Sequence, residues 1–133
     1  MTVCTKWLSK HSEWGHLVLR VVLGLVFMIH GWSKFNNMAG TVNFFGTLGL
    51  PAFVAYLVMA LELGGGALIL LGLFTRQVSI LGTINMFFAI ILAKLPSGGN
   101  YEFDLSLLGM SLALVFLGSG KLSLEKALFK KEL

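Results

Sequence analysis

Cysteine occurs once, at Cys4. A disulfide within the chain is therefore excluded, and without a Cys-x-x-Cys pair the chain cannot run thiol chemistry alone. No spacing of Cys and His resembles a metal site, so no metal is expected. Charge is scarce as well. Only 12% of the 133 residues are Asp, Glu, Lys or Arg, against about 25% in soluble domains. The net charge of +4 lacks the interleaving of basic and aromatic residues that nucleic-acid binding requires, and that partner is set aside. A nucleophile with its activating base is also missing, which argues against catalysis by this chain by itself. No internal repeat is evident.

What the chain has instead is apolar length. Hydrophobic residues make up 56% of it and its mean hydropathy is +0.86, values of an integral membrane protein. The stretch from Leu50 to Phe74 carries one charge, Glu62, near its middle. As a helix it would reach roughly 37 Å, more than the roughly 30 Å of bilayer hydrocarbon. A carboxylate at mid-span costs about 2.5 to 3.5 kcal/mol on insertion scales, so it is expected to face protein or a wet cavity. Glu62 thus predicts companion helices.

Hydropathy supplies them. The chain is expected to be all-α, an antiparallel four-helix bundle forming one transmembrane domain, with spans at about 16–35, 51–74, 77–94 and 102–118. Lys6 and Lys10 ahead of the first apolar run resemble a signal peptide, but three more runs follow and no small-residue cleavage pattern does, so an uncleaved first span is expected. Trp7 and Trp14 suit an interfacial lead-in, residues 36–50 a connection with a short surface helix around Phe44 and Phe45, and residues 119–133 a basic amphipathic tail on the membrane surface. Gly24 and Gly31, two turns apart, allow a close helix contact, and Gly64, Gly65 and Gly66 after Glu62 imply that a helix or a ligand approaches the backbone there. Arg20, one turn inside the first span, is expected to snorkel to the head groups, and Arg76 to anchor the hairpin between spans two and three.

Orientation follows from the cations. Lys6, Lys10, Arg20, Arg76, Lys121, Lys126, Lys130 and Lys131 fall on the side of the termini, and only Lys34 and Lys94 on the other. By the positive-inside rule both termini should be cytoplasmic, with the chain in the plasma membrane. Common depth then draws polar side chains together: Glu62, Asn85 in span three, and His30 with Lys34 one turn further out. Such groups seek one another in lipid. One reading is a polar pocket that binds a small head group or relays protons. Other readings stand beside it: Asn85 as interhelical glue, His30 as a packing residue, Lys34 as an interfacial snorkel.

The segments LRVVLGLVFMIHGWSKF, GLP, ELGGGALILLGLFTR and NYEFDLSLLGMSLALVFLGSGKLSLEKAL resemble, in order and spacing, the DoxX family of small four-span membrane proteins. The resemblance covers roughly residues 17–128, and Arg20, Gly24, His30, Gly31, Lys34, Pro51, Glu62, Gly65, Gly72 and Arg76 match the family pattern. It implies a four-helix bundle and an association with redox metabolism, since founding members belong to a thiosulfate:quinone oxidoreductase. Architecture is implied more firmly than activity. Three functions follow: an accessory membrane subunit of a redox system binding a quinone or similar apolar molecule near His30, Glu62 and Asn85; a proton-coupled or small-solute transporter, for which four spans would have to dimerise; or a scaffold whose tail from Lys121 docks a cytoplasmic protein. With no flavin, haem or Fe–S motif, electrons would have to come from a partner.

Overall fold

The computed structural model describes residues 2–133, and among them every regular element is helical. A short amphipathic helix, α1 (Val3–Lys10), is capped by Thr2, whose hydroxyl accepts from the Thr5 amide. The long helices follow: α2 (Glu13–Asn36), α4 (Ala52–Leu71) and α5 (Thr75–Ser97), each long and apolar enough to cross a membrane. Between α2 and α4 lies α3 (Met38–Thr47), packed on the start of α4 with Phe45 buried and Phe44 exposed. A fourth, shorter helix, α6 (Glu102–Leu117), lies along α5, and the chain ends in α7 (Leu124–Phe129).

Contacts fix the directions. Arg76 at the start of α5 meets Phe116 at the end of α6, and Lys94 at the end of α5 faces Asp104 at the start of α6, so these two run antiparallel. The same holds for α2 and α4, where Gly24 lies against Gly66 and Gly31 against Leu63. Helix α2 touches α6, and α4 touches α5. Both termini lie at one end, where Lys121 donates its amide to Glu13.

Burial is inverted relative to a water-soluble protein. Large apolar side chains point outward, Phe116 being 75% exposed, while Arg20, Glu62, Thr75, Ser79, Asp104, Ser111 and Glu125 are inside. Such a surface is a liability in water and a requirement in lipid. The apolar core is correspondingly slim, built on Leu23, Phe27, Ile69, Val78, Met86, Leu107 and Leu114.

Glycine makes the α2–α4 contact. A Cβ on Gly24 would stand 2.7 Å from the Gly66 carbonyl oxygen, and one on Gly66 equally close to the Gly24 carbonyl. Only hydrogen fits where two backbones meet this closely. Gly24→Val is therefore expected to lower stability by about 2 kcal/mol or more, read as thermal unfolding in detergent. Gly46→Ala, where a Cβ meets nothing within 4 Å, should leave the transition in place.

Two boundaries depart from the hydropathy reading. Helix α4 stops at Leu71 rather than near Phe74, because Gly72 takes a left-handed conformation (φ +75°) and the Leu73 amide closes back on the Leu68 carbonyl, a glycine stop that hydropathy does not register. The tail folds back over the end of the helices and buries Glu125 completely. Windows of the π-helical type interrupt two spans, at Leu61–Gly65 in α4 and Ile90–Lys94 in α5. The second precedes Pro96, whose ring and missing N–H disturb the preceding turn; the first holds Gly64 and Gly65.

Candidate functional site

Helix α4 carries buried positions at Glu62, Gly65, Gly66 and Ile69. Widening the turn at Leu61–Gly65 lets two consecutive glycines and the carboxylate all face inward: Gly65 toward Val78 on α5, Gly66 toward α2. Glu62 is 4% exposed and both of its oxygens are engaged. Lys34 Nζ donates to Oε2 at 2.7 Å, and Asn85 Nδ2 to Oε1 at 3.1 Å. One carboxylate thus joins α2, α4 and α5.

The energetics follow from the geometry. An isolated carboxylate in an apolar interior would be expensive, and a hydrogen-bonded ion pair offsets much of that cost while carrying no net charge. Lys34, in the last turn of α2, turns inward to Glu62 instead of out to the interface, though its side chain keeps 23% exposure. That exposure gives the pair a connection to the surroundings. The space enclosed by Phe27, Leu61, Glu62, Val78, Gly82 and Asn85, in contrast, is too tight to admit a water molecule. No ligand head group fits there without movement of the helices.

His30 is not part of this cluster. It is exposed and lies against the Phe103 ring, centroids 5.3 Å apart, and it makes no hydrogen bond among the described residues. The reason is angular: the inward face of α2 runs through Leu23, Gly24, Phe27 and Gly31, and His30 is turned toward α6.

A second pair, weaker in geometry, sits at the same end. Lys94 Nζ is 3.9 Å from Asp104 Oδ2. Glu102, two residues earlier on the same helix, is exposed. Asp104 shares the inward face of α6 with Leu107, Ser111 and Leu114, a three- and four-residue spacing that was there to be read. Each widened turn supplies one member of an ion pair, Glu62 in one and Lys94 in the other. Such turns occur often at functional sites.

The opposite end holds a third polar centre. Arg20 is 1% exposed, so it does not snorkel to head groups as expected from sequence; its Nη2 donates to the Leu122 carbonyl at 2.7 Å. Glu125 supplies the opposing charge. Its Oε1 accepts from the Phe74 amide at 2.7 Å, and its Oε2 from Ser119 Oγ and the Leu133 amide, both at 2.8 Å. The Glu125 amide in turn donates to the Gly72 carbonyl. The tail therefore clasps the α4–α5 hairpin and α2 together. Arg76 lies beside this clasp, its Nη2 reaching the Phe116 carbonyl at 3.4 Å and its guanidinium packing on Gly118.

A helical body with apolar residues outside and ion pairs inside, one of them in the middle of a span, defines a small integral membrane protein. The chain belongs to the DoxX family, whose family model matches residues 15–95. It is 47% identical over 125 residues, 92% of this chain and 93% of the relative, to a Bacillus subtilis protein named "Putative oxidoreductase CatD". It is 31% identical to the Escherichia coli "Inner membrane protein YqjF" over 93% of this chain and 99% of that one. The E. coli "Inner membrane protein YphA" is 28% identical over 83% of this chain and 87% of its own length. No solved structure matches the chain.

Proposed function

We propose that the chain is the membrane subunit of a redox system, a four-span bundle with both termini cytoplasmic, in which the Lys34–Glu62–Asn85 cluster handles the protons that accompany reduction of a quinone-type molecule. The observation that carries this reading is the 2.7 Å contact between Lys34 and a carboxylate that is otherwise buried. A proton can pass along that contact or be taken up from outside with little change in the helices, since Asn85 holds the second oxygen in either state. Reduction of a quinone takes two electrons and two protons. The electrons come from a partner reductase, since this chain has no redox motif of its own, and the protons reach the membrane through the partly exposed Lys34.

Two further observations support the reading. The name of the B. subtilis relative carries an oxidoreductase assignment, and the eight-to-two distribution of Lys and Arg gives the termini end the positive-inside character of a cytoplasmic face. The carrier and scaffold alternatives gain less. Tight packing beside Glu62 leaves no solute path, and the tail that would dock a partner is engaged with its own bundle through Glu125.

The test is complementation in a strain lacking the chromosomal copy, challenged with a redox-cycling naphthoquinone. Glu62→Gln keeps the shape and the Asn85 contact but removes the charge. It is expected to reduce survival about a hundredfold, the lower end of what a proton-transfer group contributes, while accumulating in membranes as wild type does. Full complementation by Glu62→Gln would refute the reading.

A further inference from the structure

Hydroxyls in membrane helices ordinarily bond to a carbonyl one turn back, as Thr83 does to Ser79 at 2.8 Å and Ser106 to Glu102 at 2.9 Å. Three others do not. Thr75, Ser79 and Ser111 are fully buried, and none of their hydroxyls has a hydrogen-bond partner among the described residues. A polar group buried in this way calls for a reason, the more so in lipid. Packing supplies none, since alanine or valine would fill the same places without an unpaired oxygen.

Their positions form a line. Thr75, Ser79 and Gly82 lie on the inward face of α5 at four- and three-residue steps, about one turn each, and Asn85 is one turn further on. Ser111 joins the line from α6, its Oγ 3.3 Å from where a Cβ on Gly82 would stand. At about 1.5 Å per residue the series covers roughly 15 Å from Thr75 to Asn85, and Asn85 holds Glu62. Its first member, Thr75, follows Phe74, whose amide is bonded to Glu125 of the clasp. A polar seam therefore runs inside the bundle from the termini end to the Lys34–Glu62 pair. Lys34, with 23% of its side chain exposed, continues it to the opposite side.

The seam is closed at one point. Ser111 and the Phe27 ring meet at Gly82, the ring 3.2 Å from the same Cβ position. Phe27 also borders the space that Glu62 and Asn85 share, which is too tight to admit a water molecule.

We infer that the seam is a proton path across the bundle, held shut in this conformation by Phe27. Side chains one turn apart stand about 5 to 6 Å from each other, a span that one water bridges. Each hydroxyl can accept and donate at once, as hopping requires. Swinging the Phe27 ring aside admits the last of these waters beside Glu62. The carboxylate then takes a proton from the seam and becomes the neutral acid. The Lys34 ammonium releases its own proton on the opposite side, and the amine so formed takes the proton of Glu62. One proton has crossed and the ion pair is restored. The inference rests on the proton-handling role proposed for the pair and deepens it, by giving that pair a supply from the termini side.

Flux is measured on the full-length chain in liposomes with a trapped pH-sensitive dye, the voltage set by a potassium gradient and valinomycin. Phe27→Ala is expected to raise it about tenfold or more over wild type, the change that a barrier lower by about 1.4 kcal/mol gives. Phe27→Leu, a smaller truncation, should raise it less and decides the matter if the alanine variant does not reconstitute. Thr75→Val, added to either Phe27 variant, should return the flux to the wild-type level. Valine keeps the shape, and the hydroxyl it deletes has no protein partner to lose, so stability should not register the change. Glu62→Gln should cancel the rise in the same way. Ile69→Ala, which empties an equally buried place away from the Glu62 space, is the control and should conduct as wild type does.

Three results would overturn the path: no rise in either Phe27 variant; a rise that persists with Thr75→Val or Glu62→Gln, which marks a leak through loosened helices; or an equal rise in Ile69→Ala. No quinone or partner takes part in this assay, so it fails separately from the redox reading. Absent flux with failed complementation by Glu62→Gln leaves the pair fed through Lys34 alone. Glu62-dependent flux with full complementation keeps the path and removes the redox role.

Discussion

Replacing Lys34 with methionine is expected to destabilise the protein by about 3 kcal/mol, at the low end of what removing one partner of a buried ion pair costs. The low end applies because Lys34 keeps 23% of its side chain exposed. Glu62, at 4% exposure, would be left with one hydrogen bond, from Asn85, and an uncompensated charge among Phe27, Leu61 and Val78. The double variant Lys34→Met with Glu62→Gln removes both charges and keeps the amide within reach of Asn85. It should recover most of the loss, because a neutral isosteric pair in an apolar site is often no less stable than the ion pair it replaces. Unfolding in detergent of the two single variants and the double one closes a mutant cycle. A coupling near zero would mean that the 2.7 Å contact contributes nothing to the fold. That result would leave the pair's chemistry without its structural basis.

The clasp at the other end should be at least as sensitive. Glu125→Ala removes the acceptor for the Phe74 amide, Ser119 and the Leu133 amide, and takes away the anion opposing the buried Arg20. Losses of about 3 to 5 kcal/mol accompany an uncompensated buried charge of this kind. Phe74 sits in a left-handed conformation (φ 50°), held in part by that hydrogen bond, so the α4–α5 turn should loosen with it. The readout is limited proteolysis with trypsin: Lys126, Lys130 and Lys131 should become cut sites at protease levels that leave the wild type whole. A tail equally resistant in Glu125→Ala would show that the clasp rests on backbone contacts such as Glu125 to Gly72, not on the carboxylate. Glu125→Gln, which keeps an acceptor oxygen for the Phe74 amide, should fall between the two.

Both centres use one device. A carboxylate ties together elements that hydrophobic packing alone would let slide, since between membrane helices there is little water to expel and packing and hydrogen bonds do the holding. Glu62 joins α2, α4 and α5 by side-chain partners; Glu125 joins the α4–α5 turn and the tail mainly through backbone groups, and Arg20 ties α2 to the tail through the Leu122 carbonyl. The slim apolar core between them is consistent with that division of labour.

How much of this was legible beforehand depends on range. Glu62 announced itself because a lone charge in a 25-residue apolar run has a cost that only neighbouring helices offset. Lys34 and Asn85 followed from matching depth along antiparallel spans. His30 was drawn into the same group on depth alone, and the angular position of a side chain around its helix, which decides contact, placed it against Phe103 instead. Asp104 was within reach of the spacing of Leu107, Ser111 and Leu114 but was hidden by its place at a helix start, where carboxylates are ordinary.

By itself the sequence determined that the chain is helical, that it belongs in a lipid bilayer, and that a buried acid needs companions, because length, hydropathy and the cost of a charge are properties of a segment. Only the tertiary structure decided that Arg20 turns inward, that the basic tail becomes a clasp, and that the helix widens at Leu61–Gly65. Each of these depends on which groups meet across dozens of residues, as Arg20 meets Leu122, and a hydrogen bond between distant positions leaves no periodic trace in the chain that makes it.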